Sequence, residues 1–462
     1  MCKITVYMPC YNYGRFIEQA ITSILKQTMD DWELIVINDG STDNTMQVIH
    51  QYQDHPKIRI IDQENKGLNV TNNIALRLSN GNYIMRLDAD DYLDENALLV
   101  MSSTLDTKPE VGLVYPDYYH VNEQGDIIEQ VRREKIDEEV QILDLPAHGA
   151  CTMFRKKVLL QVGGYLEEFT CQDGYELWLR FISRYSPYNV NIPLFYYRQH
   201  DNSITRNERK ILETRRKIKR RFVEKELNGA RPTVVGIIPV TRKSPYPQVD
   251  PFTLINGQPL IWYTINEALQ SKHLDKIVIT SEDQEILDYA GTFKELVLLH
   301  RDEYWSRATI RMSVLIKHIL ERLESEHHYT PQAVCTLYIN TPLRKSYHID
   351  KAIDTMTIFN VDTVISVQEE TAHCYFHRRL GLEPLSQAKR SMRIEREAIY
   401  KENSAIFLSS CDTIKKGKLI GRKVGHITML PEESIKINTD FDLWMSEKIL
   451  SEWHNSERKL SS

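Results

Sequence analysis

Ile84–Leu93 reads I-M-R-L-D-A-D-D-Y-L, an apolar run that stops in three acids, Asp88, Asp90 and Asp91. The run has strand composition, and the acids stand where a strand should end. Two carboxylates one residue apart at a strand end suit a hard divalent cation, because Mg²⁺ and Mn²⁺ take oxygen ligands and keep positions open for phosphate oxygens. A solvated Asp-rich turn has the same composition, so the flanking stretches decide between the two.

Toward the N-terminus, Ile4–Met8, Glu33–Ile37 and Ile58–Ile61 read as three further short strands. The first runs into P-C-Y-N-Y-G-R-F and a helix of pattern I-x-x-A-I-x-S-I-L. The second ends in N-D-G-S-T-D-N-T, turn chemistry with an N-cap for the next helix. The third is followed by E-N-K-G-L-N-V-T-N-N and a helix through Leu78. Strands and helices alternating at these spacings predict right-handed βαβ units and a mainly parallel sheet. In such sheets ligands sit at the carboxyl ends of the strands. Three of the four strands end there in polar clusters: Tyr11-Asn12, Asp39-Gly40-Ser41 and Asp88-Ala89-Asp90. That convergence argues for a binding site over an incidental turn.

The motifs P-C-Y-N, V-I-N-D-G-S-T-D, N-K-G-L, N-G-N-Y-I and L-D-A-D-D, in this order, resemble the GT-A fold of the family-2 inverting glycosyltransferases. H-G-A-C-T-M-F-R at 148–155, G-G-Y at 163–165, Q-D-G-Y-E-L-W-L-R at 172–180 and Y-Y-R-Q-H-D-N-S-I-T at 196–205 extend the resemblance over about residues 1–205. It implies that Asp39 binds the uracil ring and that the Pro9–Tyr11 turn holds base and ribose. Lys66 and Asn73 would lie on the loop near the nucleotide, although Lys66 fits a solvated surface lysine equally well. Asp90 would hold Mg²⁺ or Mn²⁺, with Asp88 near the ribose or the metal and His200 near the metal or diphosphate. Inverting transfer also needs a carboxylate to take the acceptor's proton, opposite the leaving group. Asp173 is the candidate. The family often reads E-D-Y-D-L-W where this chain has Q-D-G-Y-E-L-W, which leaves Glu176 as the alternative.

Composition narrows the rest. The chain has 462 residues, 42% hydrophobic and 26% charged, enough for two or three soluble domains. A net charge of -6 gives no basic field for nucleic acid. Seven cysteines without a C-x-x-C pair suggest reduced thiols in a cytosol and neither a zinc site nor a disulfide framework. The N-terminus reads as a strand and not a signal peptide. No apolar run approaches the roughly 20 residues of a membrane span, so membrane contact is expected to be peripheral, at the inner face, suiting a saccharide or lipid-linked acceptor.

Arg206–Leu227 reads as a helix with a strongly basic face, a solvated connector in preference to a lipid anchor. Asn228–Pro232 then breaks the helix. Thr233–Val240 opens a second α/β pattern. N-G-Q-P-L-I, N-T-P-L-R and D-T-V-I-S-V resemble the acylneuraminate cytidylyltransferases over about 233–450. The resemblance makes Arg242, Lys243, Asn340 and Arg344 the possible ligand-binding residues. Two departures count against CMP-sugar synthesis. The phosphate loop, T-R-K-S-P-Y-P-Q-V-D-P-F, has Pro245, Pro247 and Pro251 and no glycine, so it lacks backbone donors. Where the family carries metal-binding aspartates, this chain reads S-I-K-I-N, with Lys436 and Asn438. The expected chain is thus two tandem nucleotide-binding α/β domains: a GT-A domain at 1–205, a basic helical linker at 206–230, and a degenerate cytidylyltransferase-like domain at 231–462 that pairs two copies into a homo-oligomer.

Overall fold

The structure is a computed structural model that describes residues 2–133, 149–200, 208–242, 250–370, 372, 374–379, 381–385 and 399–453. The chain divides into two compact units, Met1–Ile218 and Lys219–Ser462.

In the first unit, β1 (Ile4–Cys10), β2 (Trp32–Asp39), β3 (Ile58–Gln63) and β4 (Tyr83–Arg86) form a parallel block in the order β3-β2-β1-β4. Helices α1 (Ile17–Leu25), α2 (Thr45–Ile49) and α3 (Leu68–Leu78) connect them. The strands are apolar throughout because both faces are covered. Ile4, Val6, Met8, Leu34 and Val36 pack into one core, while Tyr7, Ile35 and Ile37 pack into another on the opposite face.

Beyond β4 the sheet departs from the mainly parallel arrangement that the βαβ spacing predicts. After β5 (Tyr92–Leu93) and α4 (Ala97–Thr107) come β6 (Val111–Val121), β7 (Ile127–Val131), β8 (Met153–Arg155) and β9 (Ser186–Arg198). Strand β8 lies between β4 and β6 and is antiparallel to both, β5 is antiparallel to β9, and β6 is parallel to β9. The reversal has a functional consequence. Strand β8 enters at the carboxyl end of β4, where Cys151 N–H donates to the Arg86 carbonyl at 2.7 Å. The turn at 149–152 therefore lies over the last residue of β4. Helices α5 (Lys156–Gln161) and α6 (Asp173–Ile182) follow.

Helix α7 (Glu208–Glu226) carries the division between the units. In the first unit, Arg215 donates to the Gln172 side chain at 2.7 Å and stacks on the Tyr175 ring. In the second, Lys219, Phe222 and Val223 are buried, and Lys219 reaches Thr355. Each part of the helix thus has partners within its own unit.

The second unit holds a seven-stranded sheet in the order Leu296–His300, Lys276–Ser281, Val234–Pro239, Ala333–Thr336, Ile399–Ser410, Thr363–Glu370, Val424–Thr428. The first four strands are mutually parallel, and Ile399–Ser410 runs antiparallel to both its neighbours. Among the described residues no helix is long and apolar enough to cross a membrane.

Candidate active site

The loops after β1 and β2 are tied together. The Asn12 side-chain oxygen accepts from Thr42 N–H at 2.7 Å, Asn12 N–H donates to Ser41 Oγ at 2.9 Å, and Gly14 N–H donates to Asp43 at 3.0 Å. Pro9 lies inside β1, buried and in register with Ile37, so it shapes the turn and offers a ligand no surface. Tyr11, 47% exposed, is the residue that the turn presents.

Asp39 closes β2 and is itself buried. Its carboxylate accepts from Gln63 Nε2 at 2.7 Å, Lys66 N–H at 2.8 Å and Gly67 N–H at 2.9 Å. Gly67, which supplies the last of these donors, has φ +85°, a backbone conformation that disfavours side chains. The Lys66 contact is thus made by its backbone, while its side chain is exposed. Asn73, expected on the loop near the nucleotide, bonds to groups of the protein. Its amide exchanges hydrogen bonds with the Tyr165 backbone, 2.8 Å and 2.9 Å, and donates to Glu167 at 2.9 Å. An amide with both ends engaged fastens α3 to the G-G-Y turn.

At the end of β4 the acids take separate partners. Asp90 meets His200 Nε2 at 2.9 Å, both side chains being largely shielded. Asp88 is instead gripped by Arg86, whose Nε and Nη2 donate to its two oxygens at 2.7 and 3.0 Å. Arg198, the last residue of β9, is buried beneath them. It donates through Nε to the Asp90 carbonyl and through its backbone to Asp91. The second oxygen of Asp91 is buried without a hydrogen-bond partner among the described residues. Burial, then the charges of Asp90 and Asp88, push the Asp91 carboxyl upward. Tyr13 and Tyr197 are likewise pushed up by burial and then by these acids. The strand end is a negative field walled by aromatic rings.

That field and its donors fit a divalent cation at Asp90 and His200. Among the described residues no three His, Cys, Asp or Glu side chains converge tightly enough to enclose a metal by themselves. The set expected from sequence, Asp88 with Asp90 and His200, is therefore not assembled, because Arg86 holds both oxygens of Asp88. A carboxylate–imidazole pair leaves most of the coordination sphere to water and a substrate diphosphate.

Asp173 begins α6, and its Oδ2 accepts from Arg86 Nη1 at 2.6 Å. Gln172 before it has φ +60°, a conformation that bends the chain into the helix. Glu176 points elsewhere. It is 4% exposed and holds Arg180 at 2.6 and 2.5 Å, and Arg180 in turn donates to the carbonyls of Val162 and Gly164. This acid fastens α6 to the G-G-Y turn. Motif reasoning passes over Arg86, whose one signal is a cation two residues before the first acid at the end of an otherwise apolar strand.

In the second unit the expected ligand residues that the structure describes have partners within the protein. Arg242 is held by Glu285 at 2.8 Å, Asp250 at 3.4 Å and Asp283 at 3.5 Å, and lies over the Phe252 ring. Lys243 lies outside the described residues. The Asn340 carbonyl accepts from Ile437 N–H at 2.8 Å, which brings the 434–438 run beside it. Arg344 is 1% exposed, a core residue and not a ligand-facing one. It donates to the Ala405 carbonyl, Thr341 and Thr264, and burial depresses it to about 10. Lys436 reaches Ser404 at 3.2 Å, and the Asn438 amide returns to the Lys436 carbonyl.

Comparison with known proteins matches each half to a family model of its own. Residues 5–163 match the family model Glycosyl transferase family 2, and residues 251–453 match Cytidylyltransferase. The chain is 30% identical to the UDP-Glc:alpha-D-GlcNAc-diphosphoundecaprenol beta-1,3-glucosyltransferase WfgD of Escherichia coli, over 48% of this chain and 88% of that one. It is 28% identical to an Escherichia coli chondroitin synthase over 40% of this chain, and spans only 27% of that synthase. The structure of S. aureus TarS 1-349 with UDP-GlcNAc is similar over 48% of this chain and 66% of that one, at 18% identity and a TM-score of 0.41. The chain belongs to glycosyl transferase family 2 through its first half, a GT-A-like α/β domain, and carries a cytidylyltransferase-like α/β domain in its second.

Proposed function

We propose that the first half transfers a sugar from a UDP-sugar to a hydroxyl acceptor with inversion at the anomeric carbon, in the assembly of a bacterial surface polysaccharide. The observation that carries this reading is the placement of Asp173. It stands one guanidinium away from Asp88, while the rival acid Glu176 is locked inside a buried ion pair. Asp173 Oδ1 has no hydrogen-bond partner among the described residues and takes the acceptor's proton as the acceptor oxygen attacks. Tyr11 and Asp39 receive the base and ribose, and Asp88 faces the ribose side. Asp90 and His200 would hold Mn²⁺ or Mg²⁺, which when bound supplies positive charge to the departing diphosphate. WfgD, by its name, uses UDP-glucose and a diphosphoundecaprenol-linked acceptor. A lipid-linked acceptor approached from the membrane face is the corresponding proposal here.

The domain division at 1–205, 206–230 and 231–462 belongs to the same proposal. So does the reading that the second domain makes no CMP-sugar and serves to pair two chains. Arg242 engaged by three carboxylates supports the first of these, since an anion would meet net negative charge at that loop. The test is a thermal-shift screen of the full chain with UDP, GDP, CDP and CMP, with and without Mn²⁺, followed by UDP-sugars. Stabilisation by UDP alone, dependent on Mn²⁺, is expected. A response confined to CMP or CDP would move the active site to the second half.

A further inference from the structure

We propose that Arg86 is a positioning residue of the transfer site, holding Asp173 against Asp88 so that one oxygen of Asp173 is presented to the acceptor. The inference rests on the reading of Asp173 as base and adds the residue that orients it.

Three observations carry it. First, the guanidinium uses its edges separately. Nε and Nη2 form a fork on Asp88, while Nη1 alone meets Asp173 Oδ2 at 2.6 Å. The fork fixes the guanidinium plane, and the plane then fixes which oxygen of Asp173 is engaged. A lysine is a point charge without that directionality. Second, the guanidinium and Asp173 lie against one turn. A Cβ on Gly149 would meet Nη2 at 3.4 Å and one on Gly174, the residue after Asp173, would meet the Gly149 Cα at 3.4 Å, ordinary contact distances that place the turn over β4 directly against both groups. Third, the side chain is 8% exposed and lies on the last residue of a central strand, so the rotamer is held by packing. Tyr7 and Tyr165 share a buried hydrogen bond of 2.9 Å nearby, and both interact with the charge of Arg86. No other cation contacts Asp173 among the described residues.

The arrangement links the two ends of the reaction. The carboxylate on the donor side and the carboxylate on the acceptor side share one cation, so displacing Asp88 moves the guanidinium that aims Asp173. Steering of this kind should act on turnover and leave nucleotide binding alone.

The test compares full-length wild type with Arg86→Lys, Asp173→Asn and the double variant. Readouts are UDP release from UDP-glucose, UDP-N-acetylglucosamine or UDP-glucuronate, whichever wild type turns over, and UDP affinity with Mn²⁺ by calorimetry. For Arg86→Lys, kcat should fall at least 30-fold, with donor KM and UDP Kd each within threefold of wild type. In the Asp173→Asn background the same substitution should change kcat less than threefold, because its effect passes through Asp173. Methylguanidinium at millimolar concentration should restore at least fivefold to Arg86→Ala. An Arg86→Lys enzyme with kcat within threefold of wild type overturns the inference. So does one whose UDP affinity falls in step with kcat, or one that fails to fold, because Arg86 is then structural. An active Asp173→Asn enzyme overturns the reading of the base instead, a result distinguishable because it leaves the comparison of wild type with Arg86→Lys standing.

Discussion

At the carboxyl end of β4, Asp88 and Asp173 share a single guanidinium with Asp90 close by, and lone pairs remain for a ligand. At the equivalent ends of the second sheet, the charges have been given partners inside the protein. Arg301 follows the strand Leu296–His300 and donates to the carbonyls of Thr280 and Val240 and to Glu282, which also binds Thr241 and Ser306. Arg242, more exposed than Arg301, is matched by Asp250, Asp283 and Glu285. Both sheets have parallel strands ending in polar residues, so topology alone does not distinguish a reaction site from a closed one. The difference lies in the charges, which the second sheet pairs inside the protein even though, among the described residues, Thr280 Oγ1, Thr336 Oγ1 and Arg344 Nε are buried without a hydrogen-bond partner. A buried polar network whose members are all paired is rigid and specific, whereas a reaction site must keep acceptors open for its substrate.

The sharpest way to break this contrast is at the two acids of α6. Asp173→Asn keeps size and hydrogen bonding but cannot accept a proton. Turnover should fall about 10²- to 10⁴-fold, with UDP affinity near wild type. Glu176→Gln should behave oppositely. It strands Arg180 in the interior, and breaking a buried pair costs about 3–5 kcal/mol, so denaturant midpoints should drop. A stable but dead Glu176→Gln enzyme would move the base by one helical turn.

Next in size is the cation. Asp90→Ala leaves His200 without its carboxylate, and Mn²⁺-dependent UDP binding should disappear in calorimetry. Asp88→Asn should spare most of that binding, because Asp88 is committed to Arg86. If the two variants weaken Mn²⁺-dependent binding equally, Asp88 is a metal ligand after all and the arginine fork opens when the ion arrives.

Much of this is legible in the sequence alone. The βαβ order, the polar strand ends and the L-D-A-D-D acids follow from period and turn chemistry, which act locally. The departures share a cause. Motif matching puts Asn73 by the nucleotide, Asp88 on the metal and Arg344 on a ligand. Each instead spends hydrogen bonds on groups whose approach no motif reveals: Asn73 on Tyr165, Asp88 on Arg86, Arg344 on Ala405 and Thr264. The antiparallel insertion of β8 is equally hidden, because three residues carry too little pattern to reveal direction. Arg86 is visible in the sequence, but a lone cation gains meaning only when two carboxylates are seen to face it.

The closed second sheet can be tested through Arg344. Arg344→Met removes donors from the Ala405 carbonyl and two threonines, each unsatisfied group costing about 1–3 kcal/mol. Its length keeps the packing volume. The second unit should lose about 2–4 kcal/mol in urea unfolding, with Mn²⁺-dependent UDP binding unchanged. Incubation of the wild-type chain with CTP, Mg²⁺ and nonulosonic acids should release pyrophosphate no faster than the blank. Release that disappears in Arg242→Ala would show that the carboxylates around Arg242 give way to phosphate, and the contrast between the two sheets would collapse. Light scattering of the full chain tests pairing separately, since a monomeric mass removes it.

The smallest expected effect lies where helix α7 meets the base. Arg215 holds the side chain of Gln172 at 2.7 Å, and Cys171 contacts Thr214. Gln172 sits at φ +60°, in a region that costs a residue with a side chain of order 1 kcal/mol, so something must hold it. The Arg215 contact does so, and its guanidinium also covers Tyr175. Removing it in Arg215→Ala loses about 1 kcal/mol of hydrogen bonding. Asp173 is not released, because Arg86 still grips it. If the loss passes fully to the aim of Asp173, kcat should fall about fivefold, with KM unchanged. Arg215→Gln, which can still donate to Gln172, should recover part of the loss. An unchanged kcat in Arg215→Ala would mean that Arg86 alone orients the base and that α7 serves only to connect. A fall much larger than tenfold would reverse their ranking and make the connecting helix the main support of Asp173.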